Sequence, residues 1–193
     1  TLTVSEMSES QKLEALRVMG LTFIRMGGPD EETAQEIAEA ISPLYPASTD
    51  AMNRELVAML VYLKADDVLA KTIPLMSQDA AGLEEIEFDD KLLARSGQYG
   101  RTFQNQKANN PQRQQIWYAY ALKNVSEGWN ENLRKQFFSW YAKSRNFKGG
   151  ASFEGFLNNF RNESLSKIQD ANLRAEMDSL SCLLYTSPSP RDR

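Results

Sequence analysis

Apolar and polar residues alternate with the period of an α-helix near the start of this chain. Ser10 is a residue type that favours a helix N-cap, and residues 11–26 follow it with one continuous apolar stripe. Gly27, Gly28 and Pro29 come next, and such residues end a helix. The pattern predicts a first helix over residues 11–26 with a buried stripe formed by Leu13, Leu16, Leu21 and Ile24.

Three more helices are predicted in the first half. Each begins at residues that stabilise a helix N-terminus: Asp30, the run Ser48-Thr49-Asp50, and the pair Asp66-Asp67. The second helix runs toward Pro46, and the fourth has Pro74 in its last turn. The third has the clearest buried face, which consists of Leu56, Met59, Leu60 and Leu63.

The later part of the chain repeats this spacing. Four helices are predicted there, from Asn110-Pro111 to residue 126, Asn130 to residue 146, Ser152 to residue 168, and Asp170 to residue 180. Helices start about 20 residues apart and helix pairs about 40 apart, as in HEAT and armadillo repeats. The sequence therefore predicts an all-α fold, a HEAT/armadillo-like α-solenoid of antiparallel helix pairs, in one domain over residues 1–181.

Residues 80–109 interrupt the helical pattern. They contain an acidic run at residues 84–90 and a polar, glycine-containing stretch from residue 96 onward. Two interpretations stay open at this point. The segment is a binding or docking loop, or it is an insertion that the fold tolerates.

Composition narrows the functional classes. With 41% hydrophobic and 25% charged residues in 193, the chain resembles ordinary globular domains. Its net charge of −4 disfavours nonspecific nucleic-acid binding, which requires clustered Lys and Arg. No apolar run reaches the roughly 18 to 20 residues of a membrane-spanning helix. There is no histidine, so the commonest general base and metal ligand are missing.

Neither end of the sequence is expected to be a natural terminus of the protein. The sequence opens at Thr1 without methionine, which predicts a fragment of a longer protein. Residues 182–193 abandon the helical pattern and resemble translated sequencing-adapter read-through; a native proline-rich linker is the alternative. Residues 182–193 are therefore predicted to be a disordered, non-native tail. Because Cys182 is the only cysteine and lies in it, no redox role is assigned to that thiol.

Residues 116–160 hold twelve of the nineteen aromatic residues. Trp117, Trp129 and Trp140 lie among them and could form a cleft for a sugar or a peptide. Rings at helical spacing are more often part of a core, and we favour that interpretation. The aromatic block thus gives a candidate binding surface at Trp129 and Trp140 with packing as its main competitor.

A candidate anion site follows the aromatic helices. Arg145 and Lys148 precede the turn Gly149-Gly150, and Ser152 opens the next helix. Free N–H groups at a helix start, together with nearby cations, can bind phosphate or carboxylate. The competing interpretation is a solvated helix end whose cations complement the helix dipole.

Paired acids at residues 66–67, 84–85 and 89–90 are candidates for general acid/base chemistry or for a hard cation. Adjacent side chains on a helix point about 100° apart, and the first pair stands where helix caps belong. The runs also lack the alternating ligands and glycine of a calcium loop. We expect no catalytic residue, no metal site and no cofactor in this chain.

Four segments resemble the HEAT-repeat region of large exported bacterial proteins typical of planctomycetes and verrucomicrobia. They are residues 53–63, the helix Trp117-Tyr118-Ala119-Tyr120-Ala121-Leu122, the turn Glu127-Gly128-Trp129, and residues 140–160 with Lys148-Gly149-Gly150-Ala151-Ser152-Phe153 at their centre. The resemblance covers roughly residues 50–180. Such proteins often join this region to a c-type cytochrome domain and sometimes to a dehydrogenase-like propeller. The chain itself has no Cys-x-x-Cys-His motif for haem attachment.

The resemblance implies a scaffold without enzymatic activity that docks adjoining domains or another protein, in a periplasmic or otherwise exported redox protein with haem c in a neighbouring domain. Neither nucleic acid nor a membrane span is expected. The alternative is a module that binds an anion, a glycan or a peptide through residues 116–160. An independent hydrolytic or redox enzyme is the third and least favoured interpretation.

Overall fold

The chain is all-helical in the parts that its structure, a computed structural model, describes. These parts are residues 6–78, 112–147 and 152–182, and they contain no β-strand. A 3-10 turn, Ser42–Leu44, follows the second helix. The helices are α1 Glu9–Met26, α2 Glu31–Ile41, α3 Asp50–Tyr62, α4 Val68–Leu75, α5 Arg113–Leu122, α6 Glu131–Ser144, α7 Phe153–Ser166 and α8 Ala171–Cys182.

Most predicted helix starts are confirmed by their capping bonds. The side chains of Asp30, Thr49 and Asn130 each accept a hydrogen bond from the backbone N–H three residues later. Asp170 does the same for Leu173 at 2.8 Å. Each bond satisfies a backbone donor that the helix itself leaves without a partner, so local sequence sets these boundaries.

The first helix differs from its prediction at both ends. Its N-cap is Ser8 rather than Ser10, because Ser8 and Gln11 exchange reciprocal side-chain to backbone hydrogen bonds in a capping box. The predicted buried stripe is wrong in its second half. Leu16 is buried, but Leu21 and Ile24 are 52% and 82% exposed. The face of α1 that packs on α3 includes Leu16, Gly20 and Phe23.

Two further boundaries are shorter than predicted. Helix α2 ends at Ile41 instead of running toward Pro46, because Pro43 enters the chain there and cannot donate an α-helical hydrogen bond. Helix α5 ends at Leu122 rather than near residue 126. The predicted start of α5 at residues 110–111 and the interruption at 80–109 lie outside the described residues.

The chain divides into two compact units, and the division falls within α5. Unit 1 comprises Thr1–Met76 and Trp117–Trp129, and unit 2 comprises Ser77–Ile116 and Asn130–Arg193. The prediction of one domain over residues 1–181 followed by a tail stays a prediction. Residue 182 is the last residue of α8, and the rest of that tail lies outside the described residues.

In unit 1, α3 is the central helix. It packs against α1, α2 and α4. The predicted face of α3 is confirmed, since Leu56, Met59, Leu60 and Leu63 are all buried. Two hydrogen bonds hold the segment that precedes α3. The side chain of Asn53 accepts from the N–H of Ala47 at 2.7 Å and donates to the carbonyl oxygen of Ala47 at 3.0 Å.

In unit 2, α8 packs mainly against α6, and α7 packs against both. The core is aromatic: Phe137 and Tyr141 meet edge to face with ring centroids 5.2 Å apart, and Phe138 is fully buried beside them. Within the described ranges, no helix is long and apolar enough to cross a membrane.

Candidate functional site

A surface depression of unit 1 lies at the end of α3. The chain leaves α3 through a Schellman turn, in which Ala65 N–H donates to Leu60 O and Lys64 N–H donates to Val61 O. This turn places Lys64 in the left-handed region with φ of 57°. A side chain other than glycine or asparagine is uncommon there. The turn thus holds Lys64 in a strained backbone conformation beside the depression.

A cleft of about 280 Å³ lies against this turn. Its floor is apolar, because the buried side chains of Val68 and Leu69 line it together with Val61. Its other wall is the segment 124–128, which follows α5. Gly128 in that segment has a φ of 75°, and a Cβ added to it would lie 3.5 Å from Leu69. Space therefore permits a side chain at residue 128, but its backbone conformation favours glycine.

A wider groove continues from the cleft along α2. The two depressions share Tyr62, Lys64, Ala65, Asp66 and Glu127, and Tyr62 is 53% exposed at this junction. One face of the Tyr62 ring stacks on the ring of Phe23. The ring centroids are 5.6 Å apart and the interplanar angle is 17°.

Carboxylates dominate the charge of this surface. Among the described residues, Lys64 is the one cation that lines either depression. The acidic residues that line the two are Glu31, Glu39, Asp66, Asp67 and Glu127. Several like charges around a concave surface raise the local concentration of cations and of basic groups. The groove therefore suits a positively charged ligand better than an anion.

Asp67 is held by two neighbouring side chains. Its carboxylate accepts from Ser42 Oγ at 2.5 Å and pairs with Lys71 Nζ at 2.7 Å, and Lys71 also donates to the Ser42 carbonyl oxygen. Burial alone would raise the pKa of Asp67, but the hydrogen bonds from Lys71 and Ser42 outweigh it and hold that pKa below its ordinary value. Asp67 is thus an anion that orders the turn, and it makes no side-chain capping bond to α4.

Unit 2 contains several of the residues that the sequence singled out. Trp140 is 4% exposed, and its indole N–H donates to Gln115. Arg145, at the end of α6, lies with a guanidinium nitrogen 3.7 Å from Cys182 Sγ. Ser152 occupies the N-cap position of α7 without a side-chain capping bond. Lys148, Gly149 and Gly150 lie outside the described residues, so the anion site stays a prediction.

The aromatic block divides between core and surface. Trp129, in unit 1, is half-buried, and its indole N–H donates to Val125 O at 3.1 Å. Trp117, Tyr120 and Phe156 are exposed, and the rings of Trp117 and Tyr120, 40% and 43% exposed, have centroids 5.8 Å apart. Trp117 is also tied to α3, because its N–H donates to Arg54 O at 3.3 Å.

Metal binding has no support in the described ranges. No three His, Cys, Asp or Glu side chains lie close enough there to hold an ion. Sequence reasoning named Asp66 and Asp67 but missed the groove, since Tyr62, Glu31 and Glu127 come from three separate segments. The one signal in the sequence was the tyrosine near the end of the apolar run of residues 56–63.

Comparison with known proteins adds no family to this geometry. No family model matches the chain, and no match was found among curated proteins or among solved structures.

Proposed function

We propose that this chain is a helical docking module without catalytic activity, which holds a neighbouring domain or another protein by binding a basic segment in the groove of unit 1. The observation that carries the proposal is the combination, in one depression, of an apolar floor, an exposed tyrosine and an excess of carboxylates.

Lysine and arginine fit this combination. Their aliphatic stems can pack on Val68, Leu69 and the face of Tyr62, while their charged ends reach the carboxylates of Asp66 and Glu127 at the rim. A cleft of about 280 Å³ is the size of a side-chain pocket rather than of a whole protein surface. We therefore expect a short basic segment as the ligand.

Repeat architecture is part of the proposal. The helices of the structure begin at residues 9, 31, 50 and 68, and again at 113, 131, 153 and 171. These intervals of about 20 residues per helix support a HEAT/armadillo-like α-solenoid, a class of fold that presents extended binding surfaces. Antiparallel pairing of successive helices is part of this proposed architecture.

The wider setting rests on the resemblance described above. It supports a place for this scaffold in a large exported, periplasmic redox protein with a c-type haem domain. On this proposal the isolated chain shows neither haem absorbance nor oxidoreductase turnover, and the full-length parent protein shows both. A parent protein without any cofactor-bearing domain would contradict the redox setting and leave the docking role intact.

Fluorescence anisotropy tests the docking role directly. We expect a labelled Lys/Ala peptide to bind the chain, and a Glu/Ala peptide of equal length not to bind. The double variant Asp66→Asn/Glu127→Gln should weaken binding at least about tenfold, because both changes remove rim charges. Glu154→Gln, an exposed carboxylate on α7, is the matched control and should change nothing. Equal affinity for both peptides, or an unaffected double variant, would overturn the proposal.

A ligand-binding role of the aromatic block is the second candidate. Exposure of Trp117 and Tyr120 favours it, since two neighbouring exposed rings can stack on a sugar face. Titration with oligosaccharides should then shift the tryptophan emission, and Trp117→Phe/Tyr120→Ala should abolish the shift. Unchanged emission across soluble glycans would remove this candidate.

A further inference from the structure

Helix α1 carries an apolar face that its own fold leaves exposed. Leu16 and Phe23 face inward, where Phe23 stacks on Tyr62. On the opposite side, Val18 and Leu21 are 62% and 52% exposed. Ile24, 82% exposed, flanks them. Large apolar side chains that are neighbours on one helix face mark an interaction surface more often than scattered ones do.

Four residues define the centre of this face. Glu14, Val18, Leu21 and Arg25 follow the i, i+4, i+7, i+11 spacing of a single helical stripe. All four are exposed. Glu14 and Arg25 make no hydrogen bond or ion pair with any residue in the described ranges, in contrast to Arg17 nearby, which pairs with Glu55 at 2.8 Å. The face thus has apolar residues at its centre and one uncompensated charge of opposite sign at each end.

The order of these residues is self-complementary. Glu14 and Arg25 are equally far from the midpoint between residues 19 and 20, and so are Val18 and Leu21. A second α1 laid antiparallel across this midpoint brings Val18 opposite the second copy's Leu21 and Glu14 opposite its Arg25. Two-fold symmetry repeats each pair, as an isologous interface requires. A parallel arrangement would instead oppose Glu14 to Glu14 and Arg25 to Arg25.

We propose that α1 is a self-association surface through which two copies of this chain pair antiparallel, with Val18 and Leu21 in the contact and a Glu14–Arg25 ion pair at each end. The surface is separate from the groove proposed for docking, so the dimer presents two grooves. Two bound copies raise the effective concentration of a partner that carries two basic segments. Ion pairs at the rim select the antiparallel partner, and the apolar centre provides the attraction.

Sedimentation velocity on the full chain tests this inference. Because the proposed contact involves a single pair of helices, we expect a dimer dissociation constant between about 1 μM and about 1 mM. Leu21→Ser should abolish the dimer without unfolding the chain, because the residue is exposed. The control Glu36→Arg reverses an exposed charge on α2 and should leave the equilibrium unchanged.

Charge reversal provides the sharper test. Glu14→Arg and Arg25→Glu should each raise the dimer dissociation constant at least about tenfold, because each creates two like-charge contacts. Mixing the two variants should restore dimers, since both end pairs are then of opposite charge, and the double variant should restore them within one chain. A chain that stays monomeric throughout, a dimer insensitive to Leu21→Ser, or single reversals without effect would each overturn the proposal. Peptide binding by Leu21→Ser, measured by anisotropy, separates this result from the docking role.

Discussion

The indole N–H of Trp140 donates to the side-chain oxygen of Gln115 at 2.9 Å, and the side-chain nitrogen of Gln115 donates in turn to Gln78 O at 2.6 Å. Trp140 and Gln115 are only 4% and 8% exposed. Gln115 therefore satisfies two partners of unit 2 at once. Removal of its amide would leave the buried Trp140 N–H without a hydrogen bond, whereas Gln78 is exposed and its carbonyl oxygen can accept from water.

Gln115→Ala should lower the free energy of unfolding by about 2 to 4 kcal/mol, since it leaves the buried Trp140 N–H without an acceptor and creates a small cavity. Urea denaturation followed by tryptophan fluorescence measures the change. Gln136→Ala, at an exposed position of α6, is the control and should stay within about 0.5 kcal/mol of the parent chain. A loss for Gln115→Ala as small as that of the control would show that water replaces the amide.

The strained turn after α3 gives a second prediction. Lys64 has a φ of 57° at the position of a Schellman turn where glycine is preferred. Lys64→Gly should raise the free energy of unfolding by up to about 1 kcal/mol, because relief of strain exceeds the added freedom of the unfolded chain. Lys64→Val should lower it by about 1 to 2 kcal/mol, since a β-branched residue resists this conformation. Chemical denaturation of both variants measures the change in the free energy of unfolding. Equal changes for the two variants would contradict the left-handed conformation at residue 64.

Local signals made much of the fold predictable. Helix starts at Asp30, Thr49 and Asn130 depend on a side chain and an N–H three residues away, so neighbouring residues contain the information. The error at Ser10 has the same origin: Ser8 has a glutamine three residues later and Ser10 has a leucine. That capping-box pattern could have been recognised in the sequence.

Other features depend on tertiary packing. The apolar residues Leu21 and Ile24 fit a helical stripe, but periodicity does not reveal which face meets α3, and both proved exposed. The groove joins Tyr62 to Glu31 and Glu127, which are far apart in the sequence, and no local pattern connects them. The aromatic residues of 116–160 also depend on tertiary packing, because the sequence does not distinguish Trp140, which is buried, from Trp117, which is exposed.

The ion pair of Asp67 and Lys71 predicts a dependence of stability on pH. The pKa of Asp67 is lowered in the folded chain from its ordinary value of 3.8, so the stabilisation is present at pH above 3.8 and is lost as the pH falls through the lower folded-state pKa. The Asp67 side chain is 43% exposed. Solvent screening therefore limits the contribution of the ion pair to the free energy of unfolding to about 0.5 to 1 kcal/mol. Asp67→Asn should therefore be less stable than the parent at neutral pH.

Thermal melts across the acid range test this expectation. The difference between the parent chain and Asp67→Asn should shrink as the pH falls below 3.8, because protonation removes the charge that the variant lacks. Lys71→Met should reduce the same difference at neutral pH, since Lys71 supplies the opposing charge. A difference that stays constant with pH would mean that the Ser42 hydrogen bond, rather than the ionised form, is what matters at this turn.

Arg161 gives the last prediction, which concerns how α8 is held. Its guanidinium is 9% exposed and donates to Ser181 Oγ at 2.6 Å, to Asp178 O at 3.1 Å and to Cys182 Sγ at 3.1 Å, and it also pairs with the Asp178 carboxylate. These acceptors all lie within the last five residues of α8. One planar side chain from α7 therefore fastens the end of the next helix.

Arg161→Met should lower the free energy of unfolding by about 2 to 3 kcal/mol, because the apolar side chain keeps much of the packing but leaves the acceptors of α8 without their donor. Arg161→Lys should recover only part of the loss, since an ammonium group cannot reproduce the fork of the guanidinium. Asp178→Asn should cost less than about 1 kcal/mol, as that carboxylate is largely exposed. Hydrogen exchange of the α8 amides distinguishes this local role from a global one. In Arg161→Met, the amides of the last turn of α8 should exchange faster than those of α6. Uniform acceleration across unit 2 would contradict the assignment of Arg161 as the residue that holds the end of α8.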